Sequence, residues 1–284
     1  MQSGTYDVRC GLGHPVGGPR VCRRSGRIVA WPMLRSEKYR HGGLEFPVHI
    51  RGRASDTLLF LPGMGVHPRH YADGLDRLAR HMTVVCPDLS FGSNRVLPED
   101  IDGYLACIDG VADRFAPAAP RAGHSLGGLL ALLGDTHAIG LSPMIPLPLT
   151  WFGQVWRAVR LQVREFAGVE GRRGARWAIA MLANYVGMAV TAPTKLFPAV
   201  SCAHRTFAEP FRPRAARVQL VLGHYDQLYR RSEYRQFAAV SGLPEASIKW
   251  LPRGHDWPAT HPELLEREIL SALDSRPEAG VAPH

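Results

Sequence analysis

Ser125 lies between two glycines in the pentapeptide Gly123–Gly127, and an apolar segment compatible with a helix follows it. A serine hydroxyl is a weak nucleophile at neutral pH, so acyl transfer requires a nearby base to activate it. The glycines allow a sharp strand-to-helix turn that holds the serine in a strained conformation. The turn also directs the N–H of Leu126, at the start of the helix, towards an oxyanion. The pattern therefore predicts Ser125 as a nucleophile.

An aspartate and a histidine follow strand-like segments farther along the chain. Val218–Gly223 is an apolar run that leads into Asp226, and Ser247–Leu251 is a short strand-like segment that leads to His255. A histidine can activate a serine as general base, and an aspartate can hold its imidazole in the required tautomer. The predicted catalytic residues are therefore Ser125, Asp226 and His255.

The order serine, aspartate, histidine is the chain order of the α/β-hydrolase superfamily, which this sequence resembles over about residues 45–143 and 215–275. Two further motifs carry the resemblance. Phe60–Gly65 resembles the oxyanion loop of that family, with Pro62 where a histidine is common, and Cys86–Gly92 resembles its Pro-Asp-x-x-Gly-type loop. The resemblance implies an α/β-hydrolase fold, in which helices flank a mostly parallel central sheet and a helical cap is inserted.

The resemblance also assigns roles to residues near the predicted nucleophile. It implies that the backbone N–H groups of Met64 and Leu126 form the oxyanion hole. Two other aspartates compete with Asp226 for the role of the acid. Asp256 is next to the predicted base in sequence and would point away from it, while the resemblance gives Asp88 a structural place in its loop.

The predicted domain organisation follows the same resemblance. Residues 1–25 form an N-terminal extension, 26–143 and 215–276 the hydrolase core, 144–214 the helical cap, and 277–284 a tail.

Two predictions concern strands of the core. Arg27–Leu34 and Leu44–Arg51 are expected to pair as an opening hairpin. The strand before Ser125 contains Pro120 and Arg121, which are unusual in a central buried strand. That strand is expected to begin at Arg121 or to have Pro120 as its first residue.

The predicted cap contains two helical patterns. In the first, apolar residues from Phe152 to Phe166 recur at helical spacing, with Arg157, Arg160 and Arg164 on the other face. The second is Ala175–Val190, which is more uniformly apolar. These helices could pack the cap onto the core, line an apolar acyl pocket, or form a basic amphipathic surface for a membrane. The candidate pocket residues are His124, Trp156, Trp177 and Met181.

The composition restricts the partners and the compartment. The chain of 284 residues has a net charge of +9, carried mostly by arginine. This charge reflects either genomic composition or a surface for an acidic partner, such as an acyl carrier protein or anionic lipid. No motif predicts nucleic-acid binding. Five scattered cysteines predict neither disulfides nor a metal site, and the absence of an apolar span or secretory signal predicts a cytoplasmic protein without a transmembrane segment.

The sequence thus predicts a serine hydrolase that needs no cofactor and cleaves a carboxylic ester of a largely apolar acyl substrate. A thioesterase or acyltransferase acting on a carrier-bound acyl group would use the same triad. Another reaction on the same scaffold, or a non-catalytic binding protein that keeps the pocket, are the remaining alternatives.

Overall fold

A computed structural model describes most of the predicted core and part of the predicted cap. The described residues are 23–24, 27–28, 35–89, 98, 101–145, 156–157, 160, 163–164, 171–191 (backbone only from 184), 212–215 and 217–275. The chain divides into two units, residues 1–31 and 32–284. In the first unit, the strands β1 (Arg23–Arg24) and β2 (Arg27–Ile28) pair antiparallel. The rest of the predicted N-terminal extension and the predicted tail lie outside the described residues.

The second unit contains an eight-stranded, mostly parallel sheet. Its strands are β3 (Arg35–His41), β4 (Leu44–Arg51), β5 (Thr57–Leu61), β6 (Thr83–Pro87), β7 (Arg121–His124), β8 (Ala138–Leu141), β9 (Val218–Gly223) and β10 (Ile248–Leu251). Their spatial order is β10-β9-β8-β7-β5-β6-β4-β3, and the six strands from β10 to β6 are parallel.

Helices cover both faces of this sheet. They are α1 (Ala72–Leu78), α2 (Ile101–Phe115), α3 (Leu126–Leu132), α4 (Gly171–Thr191), α5 (Arg231–Val240), α6 (Trp257–Thr260) and α7 (Pro262–Asp274). Alternate residues of β5 point to opposite faces, so Leu59 and Leu61 pack in the apolar cluster of α2, α3 and α5, whereas Leu58 and Phe60 pack in that of α1, α6 and α7. Both faces of the central strands are therefore buried, as expected for parallel strands.

The opening hairpin differs from the sequence prediction. Its first strand is Arg35–His41 and not Arg27–Leu34, and it pairs with Leu44–Arg51 across a turn at Gly42 and Gly43. Both glycines have positive φ, which suits a tight two-residue hairpin turn. Arg35–His41 is a charged edge strand with one buried side chain, that of Tyr39, so it lacks the apolar alternation by which strands are predicted.

The unusual strand before Ser125 begins at Arg121, as one of the two expectations held. Pro120 precedes the strand, and its carbonyl accepts a hydrogen bond from Leu59 N–H at 3.0 Å. The Arg121 side chain is 8% exposed, and its guanidinium donates to the Asp109 carboxylate of α2 at 2.7 Å. The buried charge of Arg121 is thus paired, which offsets most of the free-energy cost expected for an arginine in a buried central strand.

The strand order places a crevice between β5 and β7. The chain runs from β5 outwards to β6 and then crosses back to β7 on the other side of β5. In open parallel sheets, ligands bind beyond the carboxyl ends of strands at such a point. The predicted catalytic residues all lie in loops at the carboxyl-terminal edge of the sheet. These loops follow β7, β9 and β10, and the loop after β5 leaves the sheet at the same edge.

Part of the predicted cap is described. Helix α4 covers the second predicted helical pattern and begins four residues earlier, at Gly171. None of the helices among the described residues combines the length and hydropathy needed to cross a bilayer.

Candidate active site

Ser125 occupies a strained turn between β7 and α3. Its backbone has φ +53° and ψ −117°, a conformation that residues other than glycine rarely adopt. The flanking glycines permit the turn, because a Cβ on Gly123 would overlap the backbone of Gly127, and a Cβ on Gly127 would overlap the carbonyls of Leu61 and Pro62. The serine is therefore held by close backbone packing on both sides, as the pentapeptide predicted.

Asp226 and His255 form a buried pair at the ends of β9 and β10. His255 Nδ1 donates to Asp226 Oδ2 at 2.8 Å, and the side chains are 2% and 1% exposed. The loops that carry the two residues run side by side, since His224 N–H donates to the Leu251 carbonyl at 2.7 Å and Tyr225 N–H to the Arg253 carbonyl at 2.9 Å. The pair is thus fixed by the main chain as well as by its own hydrogen bond.

The Asp226 carboxylate accepts three further hydrogen bonds. Its Oδ1 accepts from the N–H groups of Leu228 and Tyr229 at 2.8 and 3.0 Å, and its Oδ2 accepts from the Tyr234 hydroxyl at 2.9 Å. Burial raises the pKa of Tyr234 well above its ordinary value, so its hydroxyl stays a donor. Sequence reasoning missed Tyr234, whose only signal is its position in the helix just after the acid.

His124, next to Ser125, connects the serine turn to the loops on either side. Its Nδ1 lies 2.7 Å from the Tyr71 hydroxyl, and its Nε2 lies 3.2 Å from the backbone carbonyl of His255. The ring centroids of His124 and His255 are 5.1 Å apart, so the serine turn and the His255 loop are in contact. Burial, followed by the neighbouring His255, lowers the pKa of His124 well below its ordinary value. Tyr71 was also missed by sequence reasoning.

The loop after β5 contacts this cluster through Gly63. The Gly63 N–H donates to the Tyr71 hydroxyl at 3.1 Å, and a Cβ at Gly63 would lie 3.3 Å from that hydroxyl and from His124 Nδ1. Because the Gly63 N–H is used in this way, the next N–H, that of Met64, is the candidate donor to a ligand in the crevice.

The two rival acids occupy different places. Asp88 follows β6, which lies on the other side of β5 from β7. Its N–H donates to the Pro47 carbonyl at 2.9 Å, and its carboxylate lies 3.5 Å from His67, which ties its loop to the edge of the sheet. Asp88 is thus engaged at the edge of the sheet, and the carboxylate hydrogen-bonded to His255 is that of Asp226.

Asp256 is buried beside the cluster. Its carboxylate lies 3.7 Å from His124 Nε2. Burial raises the pKa of Asp256, an effect that His255 and the indole of Trp177 partly offset. Asp226, and not Asp256, is the carboxylate hydrogen-bonded to His255 Nδ1.

Three of the predicted pocket residues are buried and one is exposed. Trp177 and Met181 of α4 are 6% and 2% exposed and pack in the apolar cluster of α1, α6 and α7. The Trp177 ring contacts Tyr71, with centroids 6.3 Å apart. His124 belongs to the cluster described above. Trp156 is 61% exposed, which does not fit a side chain enclosed in an acyl pocket.

The first predicted cap helix is oriented differently from its sequence pattern. The three arginines were expected on the face opposite the apolar residues. Arg160 and Arg164 are exposed, but Arg157 makes a two-pronged ion pair with Glu233 at 2.7 and 2.9 Å and donates to the Leu228 carbonyl at 3.1 Å. Val163, like Trp156, is 61% exposed. An acidic partner on the core, which the periodicity of the cap cannot reveal, turns Arg157 inwards.

Within the part of the chain that the structure describes, two side-chain groups have the composition of a metal site, but their hydrogen bonds do not suit one. His49, His67 and Asp88 form the first, and His124, His255 and Asp256 the second. His67 Nδ1 accepts a hydrogen bond from the Arg69 N–H, which leaves the proton of the neutral ring on Nε2, the atom that faces Asp88. In the second group, His124 Nε2 and His255 Nδ1 are engaged with a carbonyl and a carboxylate.

A mostly parallel sheet with helices on both faces, a strained serine turn and a histidine–aspartate pair at the same sheet edge together define the α/β-hydrolase class. A sequence model of the Alpha/beta hydrolase family matches residues 58–268, and the chain therefore belongs to this family. No curated protein matches the sequence significantly.

Solved structures share the fold at low sequence identity. A membrane phospholipase A, described as a bacterial virulence factor, is 17% identical with a TM-score of 0.62, covering 85% of this chain and 86% of that one. A putative lipase from Acinetobacter baumannii AYE is 14% identical with a TM-score of 0.61, covering 86% and 92%. A thioesterase domain from the curacin biosynthetic pathway is 16% identical with a TM-score of 0.54, covering 84% and 99%.

Proposed function

We propose that this protein is a serine hydrolase that cleaves a carboxylic ester of a largely apolar acyl substrate. Ser125 is the nucleophile, His255 the general base and Asp226 the residue that orients the base. The observation that carries the proposal is the positive φ of Ser125, at the same sheet edge as the buried Asp226–His255 pair. Backbone strain of this kind is maintained where the surrounding structure holds a functional group in place.

The proposed reaction transfers the acyl group first to the serine and then to water. His255 Nε2 takes the proton of Ser125 as the hydroxyl oxygen attacks the ester carbonyl. Its Nδ1–H stays bonded to Asp226, which stabilises the imidazolium. The imidazolium then gives its proton to the departing alcohol, leaving an acyl-enzyme. Water attacks this ester with His255 again as base, and release of the acid restores Ser125.

The tetrahedral oxyanion is bound by main-chain donors. We assign Leu126 N–H, the first amide of α3, and Met64 N–H, which follows the peptide fixed by Tyr71. Gly127 packs against the Leu61 and Pro62 carbonyls, which places the two loops side by side. Each such donor is worth about 3 kcal/mol of transition-state stabilisation in a comparable site.

A thioester of an acyl carrier is the alternative substrate. Residues 144–214 contain ten basic and three acidic side chains, so this insertion carries most of the net positive charge of the chain and suits an acidic partner. The fold is also shared with a thioesterase domain. Faster cleavage of acyl thioesters than of matched oxygen esters would favour this alternative.

Fluorophosphonate labelling tests the proposed nucleophile. We expect a stoichiometric adduct on Ser125 in the wild type, no adduct at that position in Ser125→Ala, and strongly reduced labelling in His255→Ala, because the hydroxyl needs its base. Mass spectrometry locates the adduct, and ester turnover is measured in parallel. Circular dichroism of Ser125→Ala should match the wild type, since only one hydroxyl is lost.

Two outcomes would contradict the proposal. Retained turnover of the best ester by Ser125→Ala would exclude Ser125 as the nucleophile. An absence of adduct on the folded wild-type protein would favour a non-catalytic binding protein that keeps the fold.

A further inference from the structure

A chain of hydrogen bonds runs from the loop after β5 to the loop that carries the base. It begins at the Gly63 N–H, passes through the Tyr71 hydroxyl and the His124 ring, and ends at the backbone carbonyl of His255. We propose that Tyr71 and His124 are positioning residues. They hold the loop after β5, which carries the proposed oxyanion donor, and the His255 loop at fixed positions relative to Ser125. This inference rests on the proposed function, because it concerns the geometry of the same site.

The chemistry of the two end groups fixes the direction of every bond. A backbone carbonyl only accepts, so the proton of the neutral His124 ring is on Nε2, which donates to the His255 carbonyl. His124 Nδ1 is then an acceptor, and the Tyr71 hydroxyl donates to it. The Tyr71 oxygen in turn accepts from the Gly63 N–H, which can only donate. All donors in the chain therefore meet acceptors, in one consistent arrangement.

This chain of hydrogen bonds is shielded from water, so its geometry is well maintained. Tyr71 and His124 are each 1% exposed, and Trp177 of α4 packs against Tyr71. Burial keeps the pKa of His124 well below its ordinary value, and a neutral ring is what the arrangement requires, because an imidazolium could not accept from Tyr71. Asp256, 3.7 Å from His124 Nε2, is the nearby carboxyl that could compete for this proton.

The chain of hydrogen bonds connects the loop of the proposed oxyanion donor with the loop of the proposed base, and the reaction depends on the relative positions of these two groups. Tyr71 fixes the peptide N–H of Gly63, one residue before the proposed Met64 donor, and His124 fixes the main chain of His255. His124 also immediately precedes Ser125 in the serine turn. An error of about 1 Å in such positions can reduce turnover about 100-fold. His124, the second residue of the pentapeptide Gly123–Gly127, is therefore assigned a positioning role in addition to its packing in the core.

The variant Tyr71→Phe tests the role of the hydroxyl. We expect kcat to fall about 10- to 100-fold with little change in KM, because the acyl group still binds while the oxyanion donors lose their alignment. Affinity for a trifluoromethyl ketone, which mimics the tetrahedral intermediate, should fall in parallel with kcat/KM. Tyr39→Phe is the matched control, since Tyr39 is a buried tyrosine on the edge strand β3, and its kcat should equal that of the wild type.

Variants of His124 separate its two bonds. Glutamine places an N–H near the position of Nε2 and keeps the bond to the His255 carbonyl, whereas asparagine places an oxygen near Nδ1 and loses that bond. We expect His124→Gln to retain more activity than His124→Asn. The double variant Tyr71→Phe/His124→Asn should lose little more than the worse single variant, because the chain acts as one unit.

The outcomes distinguish this inference from the proposed function. A Tyr71→Phe variant that melts at a lower temperature but keeps wild-type kcat and inhibitor affinity well below that temperature would overturn the positioning role alone. Additive losses in the double variant would also overturn it. Turnover by Ser125→Ala would instead overturn the proposed function.

Discussion

His124 is a buried histidine whose surroundings keep it neutral. Its Nδ1 faces the titratable hydroxyl of Tyr71, its Nε2 faces the His255 carbonyl, and the His255 ring and the Asp256 carboxylate are the other titratable groups close to it. Because burial depresses its pKa in the folded state, the unfolded chain binds a proton at His124 more readily than the folded chain does. The contribution of His124 to the stability of the protein therefore decreases as the pH falls below the ordinary histidine pKa of about 6.5.

His124→Gln should reduce this dependence on pH. Between about pH 7 and about pH 5.5, the free energy of unfolding should fall by about 1 kcal/mol less in the variant than in the wild type, because one proton-binding difference is removed. Urea denaturation at the two pH values measures the difference. His49 also has a depressed pKa through burial, so each comparison is made between variant and wild type at the same pH. Identical pH dependence in both proteins would show that His124 titrates normally when folded.

The serine turn shows how elements position one another. Helix α3 begins directly after Ser125, and its second residue, Gly127, lies against the carbonyls of Leu61 and Pro62 at the end of β5. Gly128 has a similar function on the other side, since its Cβ would lie 2.9 Å from Gly123 O and from Pro143. The atoms that such Cβ groups would meet belong to the main chain or to the rigid ring of Pro143, so they cannot move aside as a flexible side chain would.

Gly127→Ala should therefore separate the helix from the oxyanion loop. We expect a loss of about 1 to 3 kcal/mol of stability from the overlap and a fall in kcat of at least about 100-fold, because the Met64 and Leu126 donors move apart. Thermal melting and ester turnover at a temperature where the variant is folded measure the two effects.

Leu132→Ala is the control for this experiment. Leu132 is fully buried in the same helix but lies at its far end from the serine, so its truncation should cost about 2 to 5 kcal/mol of stability while kcat is kept in the folded fraction. If Gly127→Ala and Leu132→Ala lowered kcat equally, the loss in Gly127→Ala would result from reduced stability and not from the lost close packing of Gly127 against the loop after β5.

At the scale of the whole molecule, the described part of the predicted cap is attached to the core beside Asp226, the residue proposed to orient the base. Arg157 pairs with Glu233 in the first turn of α5, which follows the Asp226 loop, and Arg173 of α4 contacts Glu263 of α7 at 3.2 Å. Desolvation acts to raise the pKa of Glu233, but hydrogen bonds from Arg157 and from the Arg230 N–H outweigh it and lower the pKa. Glu233 is therefore ionised and available to hold the segment of the predicted cap that contains Arg157.

Arg157→Ala should loosen this attachment. We expect amide hydrogen exchange in residues 156–164 to increase about fivefold, which corresponds to about 1 kcal/mol for a half-buried ion pair, and the difference should shrink at high salt. Arg160→Ala is the matched control, since Arg160 is on the same segment and exposed. Equal exchange in both variants would mean that the Arg157–Glu233 pair does not hold the segment.

The amino-acid sequence by itself determined the strands that lead to the site and the residues at their ends. Thr57–Leu61 and Val218–Gly223 are strands with the predicted bounds, because short, largely apolar runs are typical of parallel strands that are buried on both faces. The turn at Ser125 was equally predictable, since its glycines satisfy a local steric requirement. The charged strand Arg35–His41 was not predictable in this way, because an edge strand needs little apolar surface.

Only the tertiary structure decided which polar groups meet. It paired Asp226 rather than Asp88 with His255 by placing β9 beside β10, and it paired Arg121 with Asp109 and Arg157 with Glu233 across elements far apart in the chain. It also joined Tyr71 and His124, which no spacing in the sequence connects. Periodicity reports the side of an element that is buried, whereas the partner of a buried polar group depends on how separate elements pack.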